Sequence, residues 1–489
     1  MAKTTLRPVQ RAAAPAASAA FQPTNTEPAA WAIHEFGQAV LPDERYRRRL
    51  PMIATAFAQK PTAPIPQACP NAAETKAAYR FLANDAIAAE DLRQAHHQAT
   101  LERVRQHRVV LAVQDTTALN YSTHPQTTGL GPLGSHSPKT IGLLLHSTLA
   151  LTPTGQPLGF LPNAVRARSQ TKVRVSRKER PREQKESYKW VASLQACQTV
   201  APACPTTQLI NVTDREGDLY ELFAQASRGA EPPRVHLLVR ARHDRKRAAG
   251  SQLLWAQVGR QALAATLSVL VGRHGDQPKR VAQLQLRFQG VELPAPKGAR
   301  DAGPLRLWAV EAREAKAPKG QPAILWRLLT TLPVTSAETA SEKVSWYAQR
   351  WQIEVLHKVL KSGCQIEQRQ LETADRLERV LAIDLVVAWR ILALCKAARE
   401  LPADPISDWL PTAQWQALCC YVQRQTKPPE SPPSVRQAVR WIAQLGGFLA
   451  RKHDGEPGTK TLWRGLEQLE AMTRMWEVFK QPERSQKCG

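Results

Sequence analysis

Three acids in this sequence sit where a carboxylate can do chemistry. Asp115 follows the apolar, β-branched run "RVVLAVQ", Asp214 follows "TQLINVT", and Glu354 lies within "WYAQRWQIEVLHKVLKSG", residues 346–363. An apolar run that stops at an acid reads as a buried strand with a carboxylate at its C-terminal end. Taken singly, each aspartate is equally explained as the cap of the helix that follows it. Taken together, two strand-end aspartates and a helix-borne glutamate have one consistent chemical use, which is to meet around divalent metal. Two carboxylates about 4 Å apart repel by about 4 kcal/mol at an effective dielectric of about 20, and a third adds to this. Divalent cations relieve that repulsion. Hard oxygen donors without His or Cys favour Mg2+, with Mn2+ as a substitute. Two such ions can activate a water or a 3′-hydroxyl and stabilise the departing 3′-oxygen of a phosphodiester.

The stretch around Glu354 carries more than one acid. Thr335 with Glu338 has the spacing of a capping box and Gly363 suits a helix stop, so the pattern predicts one helix from about Ser336 to Ser362. With Tyr347 at zero and about 100° per residue, Arg350 falls near 300°, Glu354 near 340° and Lys361 near 320°. These four share a narrow stripe. Ile353, Leu356, Val359 and Leu360 fall on a separate apolar face directed to a core. The plain reading of such a stripe is a solvated face with ion pairs along the helix; the alternative is the wall of a groove.

The elements that must position these residues follow from the rest of the chain. Residues 31–100 read as short helices with basic faces (Arg45, Arg47, Arg48, Arg49, Lys60, Lys76, Arg80), as phosphate contacts require. After the strand before Asp115, "IGLLLHSTLALTPTGQPLGFLP" reads as two further strands around a Pro-Thr-Gly turn. A helix and the strand before Asp214 come next. That is a mixed sheet covered by helices, an α/β fold. Short alternating segments between about residues 241 and 333 resemble a β-strand insertion. The C-terminal part reads as a Pro-rich linker at 426–435 followed by two amphipathic helices, a helical hairpin suited to pairing with its counterpart.

Composition narrows the partner. The chain has 489 residues with 67 Lys and Arg against 42 Asp and Glu, a formal charge of +25, and 43% hydrophobic residues. Such a chain can fill two or three domains, and its charge excess calls for a polyanion. With no apolar run of spanning length, nucleic acid is the expected partner and not a membrane. Eight cysteines without metal-site spacing fit reduced thiols and a cytoplasmic location. Residues 1–30, rich in Ala and Pro, are expected to be a disordered basic arm.

"Tyr347-x2-Arg350-x3-Glu354-x6-Lys361" resembles the signature of the bacterial DDE transposases of the insertion-sequence-four family. The resemblance extends to "AYRFLAN" near residue 80, "DTTALNY" at Asp115, "KESYKW" at 185–190, "DREGDLYE" at Asp214, "LLTTLPV" at 328–334 and "LGGFLARK" near the C-terminus. It implies an RNase H-like catalytic domain over 101–395, with Asp115, Asp214 and Glu354 as catalytic and metal-binding triad and a β insertion at about 241–333. It also implies an N-terminal helical domain, 31–100, that binds transposon ends, and a C-terminal helical domain, 396–489, that forms a homodimer. The implied reaction is cut-and-paste transposition of double-stranded DNA at inverted-repeat ends: nicking, a hairpin on the transposon end, hairpin opening and strand transfer. Tyr347, Arg350 and Lys361 would hold phosphates. Trp326 matches the position on which a flipped base stacks, and Arg240 that of a DNA-contacting arginine. The basic segment from Arg166 to Lys185 departs from the family pattern by its high charge. Two other readings stay open: an RNase H-like nuclease or resolvase, and a DNA-binding regulator without catalysis.

Overall fold

A computed structural model describes residues 28–134, 140–169, 181, 185–227, 235–245, 253–271, 280–296 and 303–480. Most of the expected N-terminal arm, and residues 170–180 and 182–184 of the basic segment, lie outside them.

The N-terminal region is helical: α1 (Ala30–Phe36), α2 (Glu44–Gln59), α3 (Ile65–Ala68), α4 (Ala72–Leu82) and α5 (Ala89–Val104). Local chemistry sets their ends. Asp43 caps α2 and Asn71 caps α4, each with its side-chain oxygen on a free backbone N–H of the first turn. The sheet then begins with β1 (Val109–Asn120), β2 (Gly131–Pro132), β3 (Ile141–Leu151) and β4 (Pro157–Arg166), antiparallel neighbours in a meander. The β3–β4 turn is the expected Pro-Thr-Gly. Gly155 has φ +99°, and a Cβ there would meet Gln349 Oε1 at 2.2 Å, so only glycine fits. The helix α6 (Tyr188–Val200) leads to β5 (Gln208–Thr213), and α7 (Tyr220–Ser227) to β6 (Val235–Arg240). β5 lies parallel to both β1 and β6. The order β4-β3-β1-β5-β6, a meander followed by two parallel strands, is the RNase H-like arrangement.

The expected insertion does not stand apart from this sheet. After α8 (Leu254–Val258), the strands β7 (Ala265–Val271), β8 (Arg280–Leu293) and β9 (Leu305–Glu314) form a meander, and β10 (Leu325–Thr330) pairs antiparallel with β6. Among the described residues one ten-stranded sheet results. Pairing with β10 satisfies the backbone edge that β6 would otherwise expose.

Two sequence expectations need correction. Asp115 is not at the end of its strand: β1 continues to Asn120, because its later residues still pair with β3, down to Asn120 opposite Gly142. The single helix expected from Ser336 to Ser362 is broken into α9 (Ala337–Ala348), a 3₁₀ turn at Gln349–Trp351, α10 (Gln352–Lys358) and a π turn at Val359–Gly363. Its cap is Ser336 with Thr339, which trade hydrogen bonds, in place of Thr335 with Glu338. The changes of winding re-aim the polar residues, so the even stripe drawn from 100° per residue is not the geometry of the site.

Behind this segment the long α11 (Ala374–Glu400) runs through the core, buried along most of its length. Of the C-terminal helices, α13 (Val435–Leu445) and α14 (Thr459–Lys480) pack on it, and α12 (Thr412–Gln423) packs on those two. Two buried polar knots tie the layers together. In the first, Glu35 of α1 accepts bonds from Arg103 (2.7 and 3.2 Å) and meets His96 Nδ1 at 2.6 Å, while His96 Nε2 accepts the Phe160 N–H of β4. In the second, Arg369 forks onto Asp384 of α11 at 2.9 and 3.1 Å and donates to Ala63 O of the N-terminal region.

The first knot makes a pH prediction. Burial would push the Glu35 carboxyl up, but His96 and Arg103 hold it down at about 2, against 4.5 when unfolded. Burial also lowers His96, whose unfolded ring therefore takes a proton that the folded ring refuses. Both groups disfavour the fold in acid. The stability owed to Glu35, at most about 3 kcal/mol, is complete above about pH 4.5 and is lost as pH falls toward 2. Thermal midpoints measured across that window should fall steeply for the wild type and less steeply for Glu35→Gln.

Candidate active site

β1 and β5 bring the two aspartates together. Their parallel register pairs Val113 with Val212, so two residues further on Asp115 stands abreast of Asp214, one strand spacing away. Asp214 Oδ1 accepts the Glu216 N–H at 2.8 Å, capping the 3₁₀ turn Arg215–Gly217. The capping reading of this acid is therefore correct, and it uses one of two carboxylate oxygens.

Glu354 reaches the same place from α10. Arg350, one helical turn before it, links the acids: its guanidinium is bonded to Glu354 and lies 3.8 Å from Asp115 Oδ2. Burial pushes the Asp115 carboxyl up to about 6. The Thr116 N–H and Arg350 pull the other way, and the charges of Asp214 and Glu354 add to the rise. Asp115 thus feels the charge of both other acids. Among the described residues no three such groups already stand close enough to enclose an ion, and the Arg350 guanidinium stands between two of the carboxylates. The donor set itself, all carboxylate oxygen, suits a hard divalent cation.

The remaining predicted residues divide. Tyr347 is buried, and burial raises its hydroxyl pKa against the opposing charges of Arg350 and Arg240; Arg240, at the end of β6, donates to Leu325 O at 3.4 Å. Trp326 of β10 packs edge-to-face on Tyr347, with ring centroids 5.3 Å apart. Arg240 and Leu328 are cross-strand partners, so Arg240 and Trp326 share the sheet face that carries Asp115. Lys361 belongs elsewhere in detail. From the π turn its Nζ donates to Ala118 O of β1 at 2.5 Å and lies 3.5 Å from Glu367, so its contacts are with protein.

Sequence reasoning missed what stands beneath the acids. On the opposite face of the sheet the Thr116 hydroxyl bonds His146 Nδ1 (2.8 Å), His146 Nε2 bonds Gln114 Oε1 (3.1 Å), and Gln114 donates to Asn211 Oδ1 (2.6 Å). Burial pushes His146 down to about 3, so the ring is neutral and the chain of bonds runs in one direction. This ladder locks β3, β1 and β5 in register beneath both aspartates. Its signal in the sequence was a single Gln, Asn or His inside each apolar run, polar groups that a buried strand keeps only when they are paired.

Three family profiles match the chain. "Transposase DNA-binding" covers residues 28–87, "Transposase DDE domain" 160–389 and "Transposase Tn5 dimerisation domain" 386–477. Asp214 and Glu354 fall inside the DDE match; Asp115 falls in the stretch between the first two. The DDE domain makes this an enzyme that cleaves DNA and transfers strands with the help of divalent metal. The flanking matches make its partners DNA and a second copy of itself. No described helix is long and apolar enough to cross a membrane. The chain belongs to the DDE transposases, with a DNA-binding domain before the DDE domain and a Tn5-type dimerisation domain after it.

Proposed function

We propose that this transposase moves its element by cut-and-paste, cleaving at inverted-repeat ends through nicking, hairpin formation and hairpin opening, and then joining the ends to target DNA. The observation that supports the reading is that Asp115 and Asp214 stand on neighbouring parallel strands while Arg350 links Asp115 to Glu354 of α10. Those acids would hold Mg2+, two ions by preference, with Mn2+ able to replace it. When bound, the ions neutralise the acids and activate the attacking water or 3′-hydroxyl. Arg350 is then free to turn from the carboxylates to a phosphate oxygen, where its fork gives two parallel bonds. Tyr347 and Lys361 restrain the neighbouring backbone without reading sequence. The division into an arm (1–30), an end-binding domain (31–100), a catalytic domain (101–395) and a dimerisation domain (396–489) belongs to the same proposal, as does action in the cytoplasm at the nucleoid.

Trp326 has the role most easily isolated. A hairpin bends the DNA tightly, and a flipped base stacked on this indole offsets the lost base stacking; such stacking contributes about 1–3 kcal/mol. Trp326→Ala is expected to slow hairpin formation about tenfold or more while nicking proceeds, read as nicked product accumulating on denaturing gels.

The direct test is to incubate purified protein and Mg2+ with DNA bearing the sequences that flank its reading frame. Cleavage at those ends and joining to a target plasmid is the expected outcome. Cutting of any duplex regardless of ends would make the protein a nuclease, and binding without cutting would make it a regulator.

A further inference from the structure

The helix that carries Glu354 is anchored through its apolar face, where Ile353 and Leu356 are fully buried, and its polar side is set by few contacts. α10 has seven residues, with a 3₁₀ turn on one side and a π turn on the other, so both ends depart from regular helical bonding. Three side chains of this segment stitch it to the sheet: Arg350 to Asp115, Lys361 to Ala118 O, and His357 Nε2 to Ser147 Oγ at 3.3 Å. The first two are the cations that DNA phosphates would attract away. The third is of another kind. His357 and Ser147 are both buried, at 6% and 0% exposure, and their bond is neutral, so it offers a phosphate no charge to compete for. Burial, helped by Lys361 and Arg350, keeps the His357 ring neutral. Ser147 is also the cross-strand partner of Asp115 in the β1–β3 register. A bond from His357 to Ser147 therefore joins the helix of one acid to the strand position opposite another.

We infer that His357 is a positioning residue, which through Ser147 holds Glu354 at a set distance from Asp115 once Arg350 and Lys361 have turned to the DNA. This rests on the reading of Glu354 as a metal-holding carboxylate. A polar group one step behind a metal ligand commonly changes metal affinity or activity by about 10- to 100-fold when it is removed.

The test uses the full chain and compares Ser147→Ala, His357→Leu, their combination, and His357→Gln, whose amide nitrogen can reach the same hydroxyl. End binding is read by mobility shift, cleavage by single-turnover rates, Mn2+ affinity of the protein–DNA complex by electron paramagnetic resonance, and folding by thermal midpoint. Ser147→Ala removes one oxygen and leaves packing intact, so it carries the test even if His357→Leu does not fold. The expected result is a cleavage rate and a Mn2+ affinity each about 10- to 100-fold lower in Ser147→Ala and His357→Leu, with end binding unchanged. The double variant should be no worse than the poorer single one, and His357→Gln should recover most of the loss. Wild-type cleavage and Mn2+ affinity in Ser147→Ala, or losses that add in the double variant, would overturn the inference. Glu354→Gln, run alongside, separates the two levels: if it still cleaves, the assignment of Glu354 itself is what fails.

Discussion

Glu354→Gln is expected to bind transposon ends as well as the wild type and to leave them uncut. The substitution keeps the side chain's size and removes the charge that a divalent cation needs from its ligand. A loss of at least about a thousandfold in cleavage follows, equivalent to about 4 kcal/mol of transition-state stabilisation. Folding should hardly change. Glu354 is 56% exposed and its partner Arg350 lies four residues away on the same segment, a type of pair worth about 0.3–0.5 kcal/mol. The measurement is end binding by mobility shift beside cleavage on gels. Cleavage retained by this variant would remove Glu354 from the triad. Because the same guanidinium faces Asp115, the variant also frees Arg350 from one of its two acids, so end binding slightly tighter than wild type would fit the view that carboxylates and phosphates compete for it.

The second large effect concerns the frame. Asp384 is fully buried and Arg369 nearly so, and the guanidinium additionally lies over the Phe57 ring at 4.5 Å. Asp384→Ala would leave that cation buried without its counter-ion, which costs about 3–5 kcal/mol. Arg369 follows the Glu354 segment, Asp384 sits in α11, Phe57 belongs to α2 and Ala63 to the loop after it. The loss should therefore loosen the DNA-binding region from the catalytic sheet as well as lower the overall denaturation midpoint. Replacing both partners at once, Arg369→Met with Asp384→Leu, removes the orphaned charge and should recover much of the stability. If Asp384→Ala unfolds at the wild-type urea concentration, the pair does not hold these layers together.

The polar residues proposed for the chemistry could be picked out of the sequence because each stood against its surroundings. Asp115 and Asp214 interrupt apolar runs, and Tyr347, Arg350, Glu354 and Lys361 recur at spacings that no core helix requires. Strand and helix periods follow from local backbone geometry, so they can be read from a window of about ten residues. That was enough to name the acids and the sheet that bears them.

Long-range pairing decided the rest. That Asp115 lies inside its strand depends on β3 continuing opposite it, and that the β insertion joins the main sheet depends on β10 meeting β6; neither partner is visible within a local window. The break from α9 into α10 falls at Gln349–Trp351, where Gln349 lies against the tight turn at Gly155, a neighbour nearly two hundred residues away in the chain. The hidden supports, His146 under the aspartates and His357 behind Glu354, looked like ordinary residues in apolar stretches. The sequence by itself determined which groups can do the chemistry, because chemical type is a property of each residue. Only the tertiary structure decided which of them meet and what holds them there, because a hydrogen bond between residues 147 and 357 exists only after the chain has closed the loop between them.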